Sequence, residues 1–103
     1  MNARITVPLE KLDAFCRRWQ VVELSLFGSI LREDFRPDSD IDVLVSFQPG
    51  SPHTLFDMVR MKDELTILFG RKVDLVSRRG IESSRNHIRK NEILNSAEVL
   101  YAA

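Results

Sequence analysis

The chain has 103 residues, of which 44% are hydrophobic and 29% charged, a composition typical of one soluble globular domain spanning residues 1–103. Fifteen Lys and Arg residues balance fifteen Asp and Glu residues, so the net charge of zero gives no support for direct nucleic-acid binding. The single cysteine, Cys16, excludes an internal disulfide and a cysteine-based zinc site. No apolar run approaches the roughly 18 residues of a membrane span, and no signal peptide is apparent, so we expect a cytoplasmic protein without membrane contact.

The first half of the chain is predicted to form a helix and two strands. Pro8 can begin a helix whose apolar positions recur at helical spacing. These positions are Leu12, Phe15, Cys16 and Trp19. Residues 21–27 alternate in polarity, which predicts a strand with one face formed by Val22, Leu24 and Leu26. A short polar connection over residues 30–39 leads to a second predicted strand over residues 40–47.

The second half is predicted to add two helices and two strands. Thr54 can cap a helix that runs to Phe69 and ends at Gly70. Its predicted apolar stripe comprises Leu55, Met58, Val59, Leu65 and Leu68. Residues 72–77 predict a third strand, residues 81–94 a basic helix, and residues 97–101 a fourth, edge strand containing Tyr101. This order predicts an α/β fold, in which helices pack against a small mixed sheet of three or four strands.

The most informative motif joins the first two predicted strands. Gly28 and Ser29 close the first strand, ten residues follow, and Asp40 and Asp42 open the second. Because glycine has no side chain, such a turn lets backbone N–H groups approach phosphate oxygens closely. Aspartates at positions i and i+2 lie on one face of a strand, with Cα atoms roughly 6–7 Å apart, so both can bind one divalent cation or a pair. The motif predicts phosphoryl or nucleotidyl transfer.

Side-chain alternation predicts which way these carboxylates face. The apolar face of the second predicted strand comprises Ile41, Val43, Val45 and Phe47. Asp40 and Asp42 therefore face a cleft on the opposite side, and the same rule places Asp74 beside Lys72 on the third strand. If the second and third strands are neighbours, about 4.8 Å apart, Asp74 joins the other two aspartates in one cluster. Carboxylates without nearby His or Cys select a hard cation, and we expect Mg²⁺.

Other polar features have simpler interpretations. The Asp-Ile-Asp segment could be only the polar start of a strand, an alternative that its spacing from Gly28 and its phase with Asp74 disfavour. The basic residues that follow Asp74 could form a solvated helix face or a surface that contacts phosphate or a partner, and both interpretations stay open. His53 and His87 have no metal-spaced companion and are expected at the surface.

With this motif the chain strongly resembles the DNA-polymerase-β-like nucleotidyltransferases. Their signature is Gly-Ser, about ten residues, Asp-x-Asp and a third acid on a later strand. The short length, residues 54–57 and residues 70–76 resemble the minimal nucleotidyltransferases, the antitoxins of two-gene modules whose toxin is an all-helical HEPN ribonuclease. The resemblance covers residues 8–101 and implies a polymerase-β-like nucleotidyltransferase fold.

The resemblance also implies roles for residues of this sequence. The nucleotide-binding residues that it implies are Gly28, Ser29 and Arg32. The catalytic and metal-binding residues that it implies are Asp40, Asp42 and Asp74. The first two of these acids would hold Mg²⁺ at the triphosphate, and the third would complete a second metal site and help to deprotonate the acceptor hydroxyl.

The implied function is that of a Mg²⁺-dependent protein adenylyltransferase, a type VII antitoxin that uses ATP to AMPylate a tyrosine of its cognate HEPN toxin. The expected partners are ATP and that toxin, within a homo- or hetero-oligomer of undefined stoichiometry. One alternative is an antitoxin that captures the toxin sterically and has a vestigial NTP site, which the intact acids disfavour. Another is transfer to a nucleic acid or a small molecule, which the neutral charge disfavours.

Overall fold

The computed structural model describes residues 8–28 and 40–102. Its elements are α1 (Leu9–Arg18), β1 (Val21–Phe27), β2 (Ile41–Phe47), α2 (Leu55–Phe69), β3 (Val73–Ser77), α3 (Arg78–Glu82), α4 (His87–Ser96) and β4 (Glu98–Ala102). The strands form one sheet in the order β3-β2-β1-β4. Strand β1 is antiparallel to β2 and β4, whereas β3 is parallel to β2. The predicted α/β class with a mixed sheet is confirmed.

The main core lies between one face of the sheet and helices α1 and α2. Ile41, Val43 and Val45 alternate along β2 toward this face, as predicted, and all three are fully buried. The buried helix residues of the same cluster are Leu12, Phe15, Cys16, Met61, Leu65 and Phe69. Burial of each large side chain contributes roughly 1.5–3 kcal/mol, so this cluster holds the two helices on the sheet.

A second, smaller cluster covers part of the opposite face. Its buried members are Phe27, Leu44, Ile81 and Ile93. Helices α3 and α4 therefore pack on the face that was expected to open as a cleft. The open part of that face is restricted to the strand ends, where Asp42 is half-buried and Asp74 is exposed.

Helix α2 has the predicted ends but a different buried stripe. Thr54 Oγ1 accepts a hydrogen bond from the Asp57 N–H, Asp57 Oδ2 accepts one from the Thr54 N–H, and Gly70 ends the helix with a φ of 70°. The buried residues are Met61, Leu65 and Phe69. Leu55 and Val59 were assigned wrongly to the apolar stripe, because the sheet contacts the other side of the first turns and leaves both exposed.

The basic helix predicted over residues 81–94 is wrong, since two short helices occupy this region. Ser77 Oγ accepts a hydrogen bond from the Gly80 N–H at the start of α3, and Asn86 Oδ1 accepts one from the Arg89 N–H at the start of α4. Serine and asparagine side chains compete with the helix backbone in this way, so they favour a break and a new helix start.

Two further local predictions were wrong. The register of β1 against β2 shifts between Val21 and Glu23, so Val21 is buried with the main core and Val22 is only half-buried. His53 is half-buried and not a free surface side chain. Its ring stacks on Phe47 with centroids 3.7 Å apart, and its Nε2 lies 2.7 Å from the carbonyl oxygen of Trp19.

In the part of the chain that the structure describes, no helix is both long enough and apolar enough to cross a membrane.

Candidate active site

The parallel pairing of β2 and β3 brings two of the predicted acids together. Asp42 and Asp74 are direct partners in the register of these strands. Paired residues of adjacent strands lie about 4.8 Å apart and point to the same face. The hypothesis that Asp74 lies beside Asp42 depended on β2 and β3 being neighbours, and the sheet has this order.

Asp40 lies directly before β2 and is exposed. Its backbone is held close to β3, since the N–H of the next residue, Ile41, donates a 2.9 Å hydrogen bond to the carbonyl oxygen of Lys72. Asp40 and Lys72 each stand one residue before the first register pair, Ile41 and Val73. Strand alternation places both on the side of Asp42 and Asp74.

Gly28 lies next to Asp42 on the β1 side of β2, whereas Asp74 lies on the β3 side. It follows the last residue of β1, and that residue pairs with Asp42 across the sheet. The φ of Gly28 is 77°, and a Cβ atom added there would lie 2.1 Å from Asp42 Oδ2. Glycine is therefore required twice, by the left-handed backbone and by the close carboxylate. The sequence motif carries no sign of this second requirement.

The other two predicted nucleotide-binding residues, Ser29 and Arg32, lie outside the described residues, as does the predicted connection over 30–39. Their roles stay predictions. The described half of the motif consists of Gly28 at the end of β1 and the acids at the starts of β2 and β3.

The donor set suits a hard divalent cation. Carboxylate oxygens are the preferred ligands of Mg²⁺, and the paired Asp42 and Asp74 can share one. Within residues 8–28 and 40–102, no group of three or more His, Cys, Asp and Glu side chains stands close enough together to form a complete metal cluster. The arrangement is thus a pair of carboxylates with Asp40 beside it, open to solvent through Asp74.

Lys72 is the residue at this end of the sheet to which the sequence motif assigned no role. Its alternation with Asp74 was already visible in the sequence, but its closeness to Asp40 follows only from the parallel register. The strand starts therefore place a lysine in register with Asp40, where a positive charge would reduce the repulsion among the carboxylates.

A family model described as "Nucleotidyltransferase domain" matches residues 10–100. Together with the mixed sheet and the paired acids, this match shows that the chain belongs to the nucleotidyltransferase domain family, a family of enzymes.

Two of the curated relatives with similar sequences are described as protein adenylyltransferases. The protein MJ0435 of Methanocaldococcus jannaschii, described as a candidate protein adenylyltransferase, is 39% identical over 77 residues, which are 75% of this chain and 76% of that protein. Protein adenylyltransferase MntA of Thermococcus cleftensis is 35% identical over 66 residues, which are 64% of this chain and 65% of that protein.

Solved structures give the same fold. A structure described as a candidate minimal nucleotidyltransferase is 37% identical, with a TM-score of 0.66, and the match covers 86% of this chain and 85% of that chain. A chain from the complex of a tri-AMPylated Shewanella oneidensis HEPN toxin with an MNT antitoxin matches with a TM-score of 0.62 and 20% identity, over 91% of this chain and 69% of that chain. The second likeness shows the fold alone.

Proposed function

We propose that this chain is a Mg²⁺-dependent protein adenylyltransferase that transfers AMP from ATP to a tyrosine of a cognate HEPN toxin and thereby acts as its antitoxin. The observation that carries the proposal is the register pairing of Asp42 with Asp74 beside Gly28. This arrangement supplies a phosphate approach and a carboxylate pair on one open edge of the sheet.

The order of the strands suggests how the two substrates are arranged. Gly28 lies on the β1 side of Asp42, so the triphosphate of ATP is expected on that side, where the glycine backbone can approach phosphate oxygens. Asp74 lies on the β3 side and is exposed, so an acceptor hydroxyl can reach it from solution. The Asp42 and Asp74 pair, with Asp40 beside it, would hold Mg²⁺, which when bound would supply positive charge to neutralise the phosphates.

The reaction itself is an in-line displacement. The phenol oxygen of the acceptor forms a bond to the α-phosphorus, and the bond from that phosphorus to the leaving pyrophosphate breaks. Asp74 accepts the proton that the phenol loses, a role that its exposed carboxylate permits. Asp42, half-buried against Gly28, is held in place and keeps the site aligned.

A protein acceptor is supported by the relatives and by charge. The relatives named above are described as protein adenylyltransferases, and one structural neighbour comes from a complex with an AMPylated HEPN toxin. The zero net charge of this chain gives no attraction for a nucleic-acid acceptor. AMP attached near the RNA-binding surface of a ribonuclease would repel RNA phosphates, which explains why modification would neutralise the toxin.

The proposal is tested by mixing the purified chain, ATP and Mg²⁺ with its proposed cognate HEPN toxin. Intact mass spectrometry should show the partner heavier by one or more AMP units, and its ribonuclease activity should fall in proportion. The double variant Asp40→Asn/Asp42→Asn should transfer nothing, because two of the three carboxylates at the site are gone. Asp63→Asn, a change at an exposed carboxylate of α2, is the matched control and should transfer normally.

Two results would contradict the proposal in different ways. Transfer at the normal rate by the double variant would refute the assignment of the acids. Full neutralisation of the partner by the double variant, at equal stoichiometry and without a mass increase, would show that the antitoxin acts by steric capture.

A further inference from the structure

A groove opens at the end of β2 and β3 opposite to the acids. It lies outside the carboxyl ends of these two parallel strands, between the loop that follows β2 and helix α3, with a volume of about 760 Å³. Its walls include Ser46, Phe47, His53, Leu55, Ser77 and Arg79. Carboxyl ends of parallel strands are a common place for ligands in open α/β sheets.

The loop wall of this groove is held in place by His53. Its ring stacks on Phe47, and its Nε2 bonds to the carbonyl oxygen of Trp19, which ties the loop after β2 to the end of α1. At the next residue, Thr54 and Asp57 close a capping box that fixes the start of α2. The groove is therefore preformed, so a ligand would not have to order it.

Exposed apolar side chains extend the groove along the first turns of α2. Leu55 is 82% exposed, the adjacent Phe56 is 81% exposed, and Val59 is 53% exposed. Leu55 also lines the groove, so the two features are continuous. Isolated apolar side chains are common on protein surfaces, but contiguous ones expose an unfavourable apolar area to water. A contiguous cluster such as this one therefore marks a contact surface.

The opposite wall carries an available positive charge. Arg78 lies 3.4 Å from a carboxylate oxygen of Glu23 and 3.5 Å from one of Glu82, so its charge is balanced. Arg79 is exposed and makes no ion pair with any residue of 8–28 or 40–102. The groove is thus apolar on its α2 side and basic on its α3 side.

We propose that this α2–α3 surface, formed by the groove with Leu55, Phe56, Val59 and Arg79, is where the protein acceptor docks through a helix that carries apolar side chains next to a carboxylate. The inference rests on the proposed function, since it names how that acceptor is held. A small anion would not need the apolar cluster, because Phe56 and Val59 lie beyond the groove walls.

The separation of the surface from the acids suits a protein and not a small acceptor. Asp42 and Ser46 are four residues apart on β2, which is about 13 Å along the strand. A protein seated on the groove can span this distance and present a tyrosine at Asp74. Docking away from the acids also supplies binding energy that orients the acceptor without occupying the site of transfer.

The test measures binding of the proposed cognate HEPN toxin, first without ATP and then with ATP and Mg²⁺. Phe56→Ser should raise the Kd by about tenfold to a hundredfold, because a buried phenyl ring is lost from the complex. Arg79→Glu should raise the Kd as well and weaken its dependence on salt. Ile67→Ser is the matched control, since Ile67 is also 82% exposed on α2 but lies about 16 Å further along the helix.

The outcomes separate this inference from the proposed function. A Phe56→Ser variant that binds the partner as tightly as the original chain, or an Ile67→Ser variant that loses as much, would overturn the docking surface. Sedimentation showing a homodimer that Phe56→Ser dissociates would overturn it as well, in favour of a second copy. Binding that depends on Phe56 without any mass increase of the partner would support the docking surface while the transferase proposal fails.

Discussion

Replacement of Gly28 by alanine should reduce nucleotidyl transfer far more than it reduces stability. The new Cβ atom would lie 2.1 Å from Asp42 Oδ2, and Cβ contacts below 3.0 Å essentially never occur, so the carboxylate must move by about 1 Å. A misplacement of that size lowers a rate by about a hundredfold. The backbone contributes separately, because a left-handed conformation of an L-residue costs roughly 1–2 kcal/mol. Each kcal/mol lowers the Tm of a domain of this size by about 4–8 °C.

Gly50 and Gly70 provide controls for the backbone effect alone. Their φ angles are +81° and +70°, and a Cβ atom added at either position would meet no neighbouring atom within 4 Å. Gly70→Ala, which lies outside the α2–α3 groove, should therefore lower the Tm by a similar amount and transfer AMP at the original rate. Single-turnover transfer and thermal unfolding, measured on the same preparations, give both quantities. Transfer by Gly28→Ala at the original rate, or an equal loss in Gly70→Ala, would refute the reasoning.

Three further predictions concern the main fold. Burial, with a smaller effect of the Asp13 carboxylate, raises the pKa of the Cys16 thiol to about 12. Because the thiol ionises more readily in the unfolded chain, Cys16 should not change the free energy of unfolding below pH 9 but should lower it as the pH rises toward 12. Alkylation of Cys16 in the folded protein should be no faster than unfolding. Rapid alkylation at about pH 8 would contradict this burial. Thr54→Ala should lower the urea-derived free energy of unfolding by about 1 kcal/mol through loss of the cap, and an unchanged value would mean that α2 does not depend on it. Trp19→Phe removes the 2.7 Å hydrogen bond from the indole Nε1–H to Glu64, so it should destabilise by about 1–2 kcal/mol with normal transfer, and a loss of transfer at full stability would contradict a purely structural role.

Local chemistry made much of the fold predictable. Alternation along residues 41–47 identified the buried face of β2, because side chains on a strand point alternately to its two faces. Thr54 and Gly70 marked the ends of α2, since a hydroxyl at the start and a left-handed glycine at the end satisfy the free backbone groups there. The spacing from Gly28 to Asp40 and Asp42 indicated the class of reaction by the same kind of local reasoning.

The errors arose where the environment, and not the local pattern, decides. Leu55 and Val59 have the spacing of buried residues, but the sheet lies against the other side of α2 and leaves them exposed. His53 has no partner near it in sequence, and its position follows from Phe47 and the carbonyl oxygen of Trp19. Burial and side-chain pairing depend on which elements meet, and periodicity carries no information about that.

By itself the sequence determined the kinds of elements, the caps of α2 and the acids that open two strands, because each of these depends on neighbours within a few residues. Only the tertiary structure decided that β3 lies parallel to β2 with Asp74 opposite Asp42, and that Gly28 lies against the Asp42 carboxylate. The physical reason is that strand order and register are set by how α2 crosses over the sheet to bury its apolar face, a contact between residues far apart in the chain.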